Sequence, residues 1–429
     1  MFMLGVGIDW AEEFHDVALG RPGDGVFDEI HVDHTPAALD ALIARIVALE
    51  PDAAEVRVVI ETRHGLLVER LVDAGFTVLP VNPDLIARRR GPAKKKDDAE
   101  DARIACRLAL DRFTDLRALV AHGEQAGELR AIARDDLRAQ RDARRLLNRL
   151  RADLIATFPA ALAIAGDDMA APTFLKLLQR WPTADALASA ARDELEAFAR
   201  SCRHGWPDRF TDKVTAALAA DQLAAKPYLV RAKADTIRLA AAQLLLIHTQ
   251  RHAWEKRMGA LLLGAPREGR AHQPGDDRGP AVPGGEIYLS FPGLGDRLAA
   301  RIAAEIGDIT TFTTANARQC YAGKAPVTRR SGKSELTVAT RLACNRFLAD
   351  AVQQWAFTSL LRSRWAREFY DAKTAIGNNH HKALRALGNR WLEVLWHCLT
   401  HGVAYDEAVH VANRNRALGR LNQPRKQAA

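Results

Sequence analysis

Cysteine is scarce in this sequence: Cys106, Cys202, Cys320, Cys344 and Cys398 are odd in number, widely spread, and contain no CxxC pair. That excludes a disulfide framework and a cysteine zinc site, and it fits a reducing, cytoplasmic setting. Long apolar runs are also missing, since no window approaches the roughly 18 consecutive apolar residues of a membrane helix. The opening "MFMLGVGIDWAEEF" turns acidic after a few residues, which suits a buried first strand rather than a signal peptide. There is no GxSxG and no HExxH; the pairs His248/His252 and His397/His401 lack a third ligand. The "GKS" at Gly332 to Ser334 would need a glycine five positions earlier to be a phosphate-binding P-loop, and Val327 stands there. No internal repeat is visible.

What is present is a globular composition, 48% hydrophobic and 27% charged, in 429 residues, a length that calls for two or three domains. The 61 basic residues against 53 acidic ones give a net charge of +8, which favours a polyanionic partner such as nucleic acid.

The first segment, 1–118, alternates strand and helix signals and predicts an α/β domain. "LGVGID" (Leu4 to Asp9) and "VALG" (Val17 to Gly20) read as a hairpin pair, "TPAALDALIARIVALE" as a helix, "EVRVVIE" (Glu55 to Glu61) as a buried strand, "GLLVERLVDAG" as a helix, and "FTVLPV" as another strand. The strand signal then stops. Residues 119–263 predict an all-α arm, whose last helix exceeds 25 residues and suits a coiled coil. The Gly/Pro-rich stretch 264–285 reads as a flexible linker, 286–411 as a helical domain with Trp355, Trp365, Trp391 and Trp396 in its core, and 412–429 as a disordered tail.

Asp9 closes one strand and Glu61 another, so parallel pairing would set both carboxylates on one rim. In "KKKDDAEDARIA", Asp98 and Asp101 are three apart at a helix start and share a face. Four carboxylates brought together need compensating charge, and divalent cations such as Mg²⁺ with oxygen ligands supply it, as in phosphodiester chemistry. The plainer account is that Asp98 and Asp101 complement a helix dipole and that Asp9 and Glu61 solvate strand ends.

Arg130, Arg134, Arg138, Arg141, Arg145 and Arg149 recur at spacings of four and three, forming one stripe that could follow a phosphate backbone or could be a solvated face paired with Asp135, Asp136 and Asp142. In "SFPGLGDRLAARIAAEIGDI", the Gly293 and Gly295 turn before an amphipathic helix has the form of half a helix-hairpin-helix, which grips phosphate through backbone N–H groups. In "APVTRRSGKSELT", Ser331 lies among Arg329, Arg330 and Lys333. A hydroxyl in such a cluster either attacks a phosphodiester whose charge the cations neutralise, or merely hydrogen-bonds within a phosphate-gripping loop.

Together "GVGIDWAEEFHDVALG", "VVIETRHGLL" and "KKDDAEDARIA" resemble the N-terminal DEDD domain of the insertion-sequence 110 family of transposases, a domain similar to Holliday-junction resolvases of the RNase H-like, RuvC-like fold. "SFPGLGDRLAARIAAEIGDI", "ANARQCYAGKAPVTRRSGKS" and "NRFLADAVQQWAFTSL" are similar to the C-terminal transposase domain of the same family. The resemblance implies that Asp9, Glu61, Asp98 and Asp101 form the Mg²⁺-binding tetrad and that Ser331, not Ser334, is the recombinase nucleophile. It further implies DNA partners (target and donor), a non-coding bridge RNA that guides them, and a homo-oligomer growing from dimer to tetramer, without a membrane role. The segment after Ser334 lacks the Gly-rich, Arg-dense continuation of many members. The competing readings are a metal-dependent junction-resolvase-like nuclease that uses water, and a non-catalytic nucleic-acid-binding scaffold.

Overall fold

The computed structural model describes residues 3–90, 97–111, 116, 118–119, 124–264, 282–307, 309, 312, 314–325, 327–331, 334–338, 341 and 344–421. The chain divides into two compact units, Met1–Ala121 and His122–Ala429.

The first unit is a mixed sheet with helices on both faces. In chain order it runs β1 (Leu4–Trp10), β2 (Phe14–Arg21), β3 (Gly25–Asp33), α1 (Pro36–Leu49), β4 (Val56–Ile60), α2 (Leu66–Asp73), β5 (Thr77–Pro80), α3 (Pro83–Arg89) and α4 (Asp98–Leu110). The spatial order is β3-β2-β1-β4-β5; β1, β2 and β3 are antiparallel neighbours, while β4 and β5 continue parallel to β1. Strand β3 is absent from the sequence expectations. Its "GVFDEIHVD" is largely solvent-facing and acidic, so it carries none of the β-branched density that marks β4.

Alternation sorts the sheet residues onto two cores. Val6, Ile8, Val58 and Ile60 pack with Leu42 and Ile46 of α1 and with Leu67 and Leu71 of α2. On the other face Val59 and Leu79 meet Ile104, Ala105 and Leu108 of α4. Thr35 starts α1, its hydroxyl accepting from the Ala38 N–H at 3.3 Å ahead of Pro36 in the first turn.

Helix α4 crosses β1 at contact distance because Gly7 has no side chain: a Cβ there would run into the backbone of Ala102 and Cys106. Such contact without intervening side chains fixes α4 along its axis as well as in depth. The Cys106 thiol lies in this seam, donates to the Gly5 carbonyl at 3.3 Å, and burial pushes its pKa up to about 12.

Among its described residues the second unit is helical apart from one hairpin. It comprises α5 (Glu124–Thr157), α6 (Pro159–Ala165), α7 (Pro172–Arg180), α8 (Ala184–Ala188), α9 (Arg192–Ser201), α10 (Pro207–Ala219), α11 (Pro227–Leu263), α12 (Gly285–Leu289), α13 (Asp296–Ile306), α14 (Ala315–Tyr321), the hairpin β6 (Val327–Ser331) and β7 (Ser334–Val338), then α15 (Arg346–Ser359), α16 (Arg364–Ala375), α17 (His380–His401) and α18 (Glu407–Leu421). Two cores share its longest helices. Leu146, Leu150 and Leu154 of α5 and Ile237, Ala241 and Leu244 of α11 close one with α6, α7, α9 and α10. Leu129 and Ala133 of α5 and Met258 and Leu262 of α11 enter the other, with α13, α15 and α17.

Trp355 and Trp391 are stacked at 5.2 Å in that second core, and their indole N–H groups donate to the Pro292 carbonyl and the Ser359 hydroxyl. The tail differs from the expectation of disorder from 412: α18 is helical to Leu421, held at its start by Val411 on the core and by His410 against Trp365 at 4.6 Å. Apolar content alone missed this anchoring; residues 422–429 lie outside the described ones. Among the described residues no helix is long and apolar enough to cross a membrane.

Two outcomes follow from the first unit. Gly7→Ala should destabilise it by about 3 kcal/mol through overpacking, read as a lower midpoint in chemical denaturation; an unchanged midpoint would mean that α4 moves outward at no cost. His15 is fully buried on β2, and burial together with neighbouring His34 at 2.9 Å pushes its pKa down to about 4. Since the unfolded imidazole protonates near 6.5 and the folded one only near 4, stability present above pH 6.5 should fall by about 3 kcal/mol as pH drops to 4. His15→Gln should flatten that slope in unfolding curves taken across this window.

Candidate active site and nucleic-acid interface

The parallel pairing of β1 with β4 sets Ile8 opposite Ile60, so Asp9 and Glu61 follow at neighbouring strand ends. The first turns of α4 supply Asp98 and Asp101. One carboxylate oxygen each from Asp9, Asp98 and Asp101 lie within 4.8 Å of one another. Glu61 is not part of that trio, a difference from the expected four-way meeting; it ends the adjacent strand, and its charge is felt by Arg90, which reaches into the same group. Asp97 precedes the helix as its cap, its carbonyl accepting from the Asp101 N–H at 3.0 Å, and its carboxylate stays outside the cluster.

The donors are hard oxygens at a spacing that one divalent cation can bridge, so the residues present fit such an ion. Helix geometry helps, because the free N–H groups of the first turn of α4 favour negative charge there. Asp101 is 2% exposed, and a carboxylate buried to that degree needs hydrogen-bonding partners. Its partner is Arg90, whose Nε and Nη2 donate to Oδ1 and Oδ2 at 2.7 and 2.5 Å. Sequence reasoning missed Arg90, because "RRR" at Arg88 to Arg90 reads as a solvated run; Arg88 and Arg89 are indeed exposed. Also unforeseen is a row across three strands: Asp9 pairs in register with Asp16 of β2, and Asp16 with His31 of β3, whose Nδ1 lies 2.9 Å from the Asp16 carboxylate. A small cleft bounded by Asp16, Glu29, His31, Ala99 and Ala102 opens beside that row.

In the second unit Ser331 is the last residue of β6, paired with Ser334 of β7, with Arg329 opposite Leu336 and Arg330 opposite Glu335. Thus the residues on either side of Gly332 and Lys333 are paired strands rather than loop; Gly332 and Lys333 lie outside the described residues. Lys324 anchors the approach to this hairpin. Its buried ammonium donates to the Ala349 carbonyl at 2.8 Å and to Gln353 Oε1 at 3.0 Å, and burial, with Arg385 nearby, pushes its pKa down to about 7.

The glycine turn serves packing in part. Gly293 has φ +82 and lies against α15, where a Cβ would meet the Ser359 N at 2.7 Å, and its carbonyl accepts from the Thr358 hydroxyl at 2.9 Å. Gly295 caps α13 and has open space around it.

The arginine stripe is divided. Arg130 donates through Nε to the Ala304 carbonyl at 2.9 Å, and burial lowers its pKa. Arg134 grips both oxygens of Glu305 at 2.7 and 2.9 Å and lies over the Phe347 ring at 4.5 Å. Burial pushes the Glu305 carboxyl up, but the Arg134 fork and the Asn345 amide more than reverse this, leaving it below the usual carboxylate range. These two arginines therefore hold α5 to α13, because their end of α5 is covered. Arg138, Arg141, Arg145 and Arg149 are exposed, the first and third pairing with Asp135 and Asp142 one turn away.

Comparison with known proteins gives this chemistry a class: the chain is a DNA transposase. Residues 6–159 match the DEDD transposase family of IS110, and residues 285–371 match the transposase family IS116/IS110/IS902. The chain belongs to the IS110 family of transposases. Among its relatives is a Streptomyces coelicolor protein named for the IS117 mini-circle, 32% identical over 417 residues, 94% of this chain and 95% of the relative. The 43.6 kDa protein of insertion element IS110 from the same organism is 30% identical, covering 78% of each chain. The 42 kDa protein of IS900 from Mycobacterium paratuberculosis is 31% identical over 89% of this chain and 92% of its own.

The division of the arginines is testable by stability. Arg134→Ala strands the buried Glu305 charge and should cost about 3 kcal/mol, whereas Arg141→Ala should stay within about 0.5 kcal/mol, both read from denaturation midpoints.

Proposed function

We propose that this transposase cuts and rejoins DNA strands with two groups of residues, an acidic tetrad in an RNase H-like first unit and a nucleophilic Ser331 in the second. The observation that carries the reading is the meeting of Asp9, Asp98 and Asp101 on one sheet rim beside Glu61, in a chain whose later segment matches a second transposase family. The strand order of the first unit, three antiparallel strands followed by two parallel ones, is compatible with an RNase H-like fold.

Asp9, Glu61, Asp98 and Asp101 would hold divalent cations, Mg²⁺ being a hard cation that takes carboxylate oxygens together with water and phosphate. Such ions, when bound, supply positive charge to a phosphodiester undergoing substitution. Ser331 Oγ forms a bond to phosphorus, one bridging P–O bond breaks, and the leaving sugar oxygen takes up a proton; attack by a sugar hydroxyl on the phosphoserine reverses the step and joins new strands. Arg329, Arg330 and Lys333 neutralise the charge growing on the phosphoryl oxygens. A two-stranded ribbon such as β6–β7 is of a size that the major groove admits. Arg138, Arg141, Arg145 and Arg149 offer an exposed path for a phosphate backbone, and the Gly295 start of α13 a further backbone contact.

Guidance by a bridge RNA paired to target and donor DNA, and assembly from dimer to tetramer with the two centres meeting between subunits, belong to the same reading and rest on family membership. A cytoplasmic protein that becomes nucleoid-associated on DNA fits it. Ser331→Ala should abolish a covalent protein–DNA adduct, detected by denaturing gels after trapping, while DNA binding survives within about threefold. An adduct persisting in that variant moves the nucleophile elsewhere. Free 5′-phosphate and 3′-hydroxyl ends without attached protein would instead favour the water-using nuclease, and cation binding undiminished in Asp98→Asn and Asp101→Asn would leave those acids as the caps of the scaffold reading.

A further inference from the structure

A groove of about 310 Å³ opens between α15 and the start of α17. Its floor is apolar: Phe357 of α15 is 52% exposed while Trp355 and Ala356 beside it are buried, and Leu384 lines the α17 side. The Phe357 ring meets that of His380 nearly at right angles, 6.1 Å between centroids, and among the described residues no ring lies flat upon it. The polar side chains of the walls are already engaged. Gln353 Oε1 accepts from Lys324, Gln354 Oε1 accepts from Arg301 at 3.1 Å while its Nε2 donates to Asp350 Oδ2 at 2.9 Å, and the Thr358 hydroxyl donates to the Gly293 carbonyl. Whatever enters is therefore held by its faces rather than read along its edges. The same bonds preform the groove, which lowers the cost of filling it, and tie it to Lys324 and to the turn before α13.

Charge says what lies beside that flat group. Helix α17 begins His380, His381, Lys382, all exposed, with no acidic residue in its first turn. Two imidazoles and an ammonium at the positive end of a 22-residue helix are the reverse of what the macrodipole favours. Asn379 caps the helix by accepting from the Lys382 N–H at 2.9 Å, and the Tyr370 hydroxyl, 2.7 Å from His380 Nδ1, steadies the His380 ring at the groove edge. The turn thus suits an anion, and the groove beside it suits a planar ring with an uncharged face. A nucleotide has both parts in one residue.

We propose that this groove receives one unpaired deoxynucleotide of the DNA, its base against Phe357 and its phosphate on the first turn of α17. The proposal rests on the chain's being a DNA transposase and not on the roles given to Ser331 or to the carboxylates, so it stands or falls apart from them. It gives the second unit a seat for a base displaced from the duplex, gripped by stacking and therefore without regard to its identity.

The test uses the full-length chain and labelled DNA duplexes identical except for one 2-aminopurine bulged from a strand, with affinity from fluorescence anisotropy and stacking from the 2-aminopurine emission. The unaltered chain should bind the bulged duplex about tenfold more tightly than the continuous one, the size of one base–aromatic stack, and should quench the bulged base. Phe357→Ala should erase the preference and the quenching while holding the continuous duplex within about twofold, and Phe357→Trp should keep both. Lys382→Glu puts an acid three residues after Asn379, which favours the helix start and so protects the fold; it should weaken bulged-duplex binding about fivefold by repelling the phosphate. No preference in the unaltered chain, or a preference that survives Phe357→Ala, overturns the proposal. A bulged RNA duplex bound more tightly than the bulged DNA, with that difference lost in Phe357→Ala, overturns the assignment to DNA. A changed oligomeric state of Phe357→Ala in sedimentation, with the bulge preference kept, makes the groove a contact between copies of the chain instead.

Discussion

Everything at the acidic rim depends on a helix lying directly on a strand. Because Gly7 offers no side chain, α4 settles onto β1 with its backbone in contact at Ala102 and Cys106. The first turn of the helix then falls beside the end of the strand, and Asp98 and Asp101 come to Asp9. Side-chain packing alone would allow several registers between a helix and a sheet; backbone contact allows few. The parallel β1–β4 pair adds Glu61 from the other side. The cluster is therefore fixed by the most rigid part of the first unit, as a group of like charges must be if they are not to drift apart.

The second unit solves a different problem with similar means. Glu305 is buried on α13 and takes hydrogen bonds from Arg134 of α5 and from Asn345, which caps α15. One carboxylate thus ties three helices, and the same Asn345 also donates to the Tyr321 hydroxyl at 2.8 Å. Lys324 extends the polar network to Gln353 and so fixes the point from which β6 departs. The role proposed for Ser331 asks for a rigid base under the hairpin, and buried, hydrogen-bonded polar groups supply one at the cost of desolvation.

Much of this was legible in the sequence. The β-branched run at Val56 to Ile60 and the acidic start of α4 located the carboxylates, because burial and capping leave strong local signatures. Asp98 and Asp101, three residues apart at the helix start, lie with Asp9 in one group of carboxylates. What escaped was decided by tertiary neighbours. Arg130 and Arg138 have the same periodicity, yet one is covered by α13 and the other is exposed, and nothing local distinguishes them. Arg90 differs from Arg88 and Arg89 in pairing with Asp101 of α4, a contact that nothing local announces. Strand β3 went unassigned because one of its faces meets solvent.

Helices α5 and α11 each pass through both cores of the second unit, and at 1.5 Å per residue their 34 and 37 residues span about 50 Å or more. Two interlocked rods shared in this way act as a ruler. A slip of one residue between them in the core nearer α10 obliges the same slip in the core that holds Glu305, so a macromolecule clasping the far end would shift the hairpin's foundation without touching it.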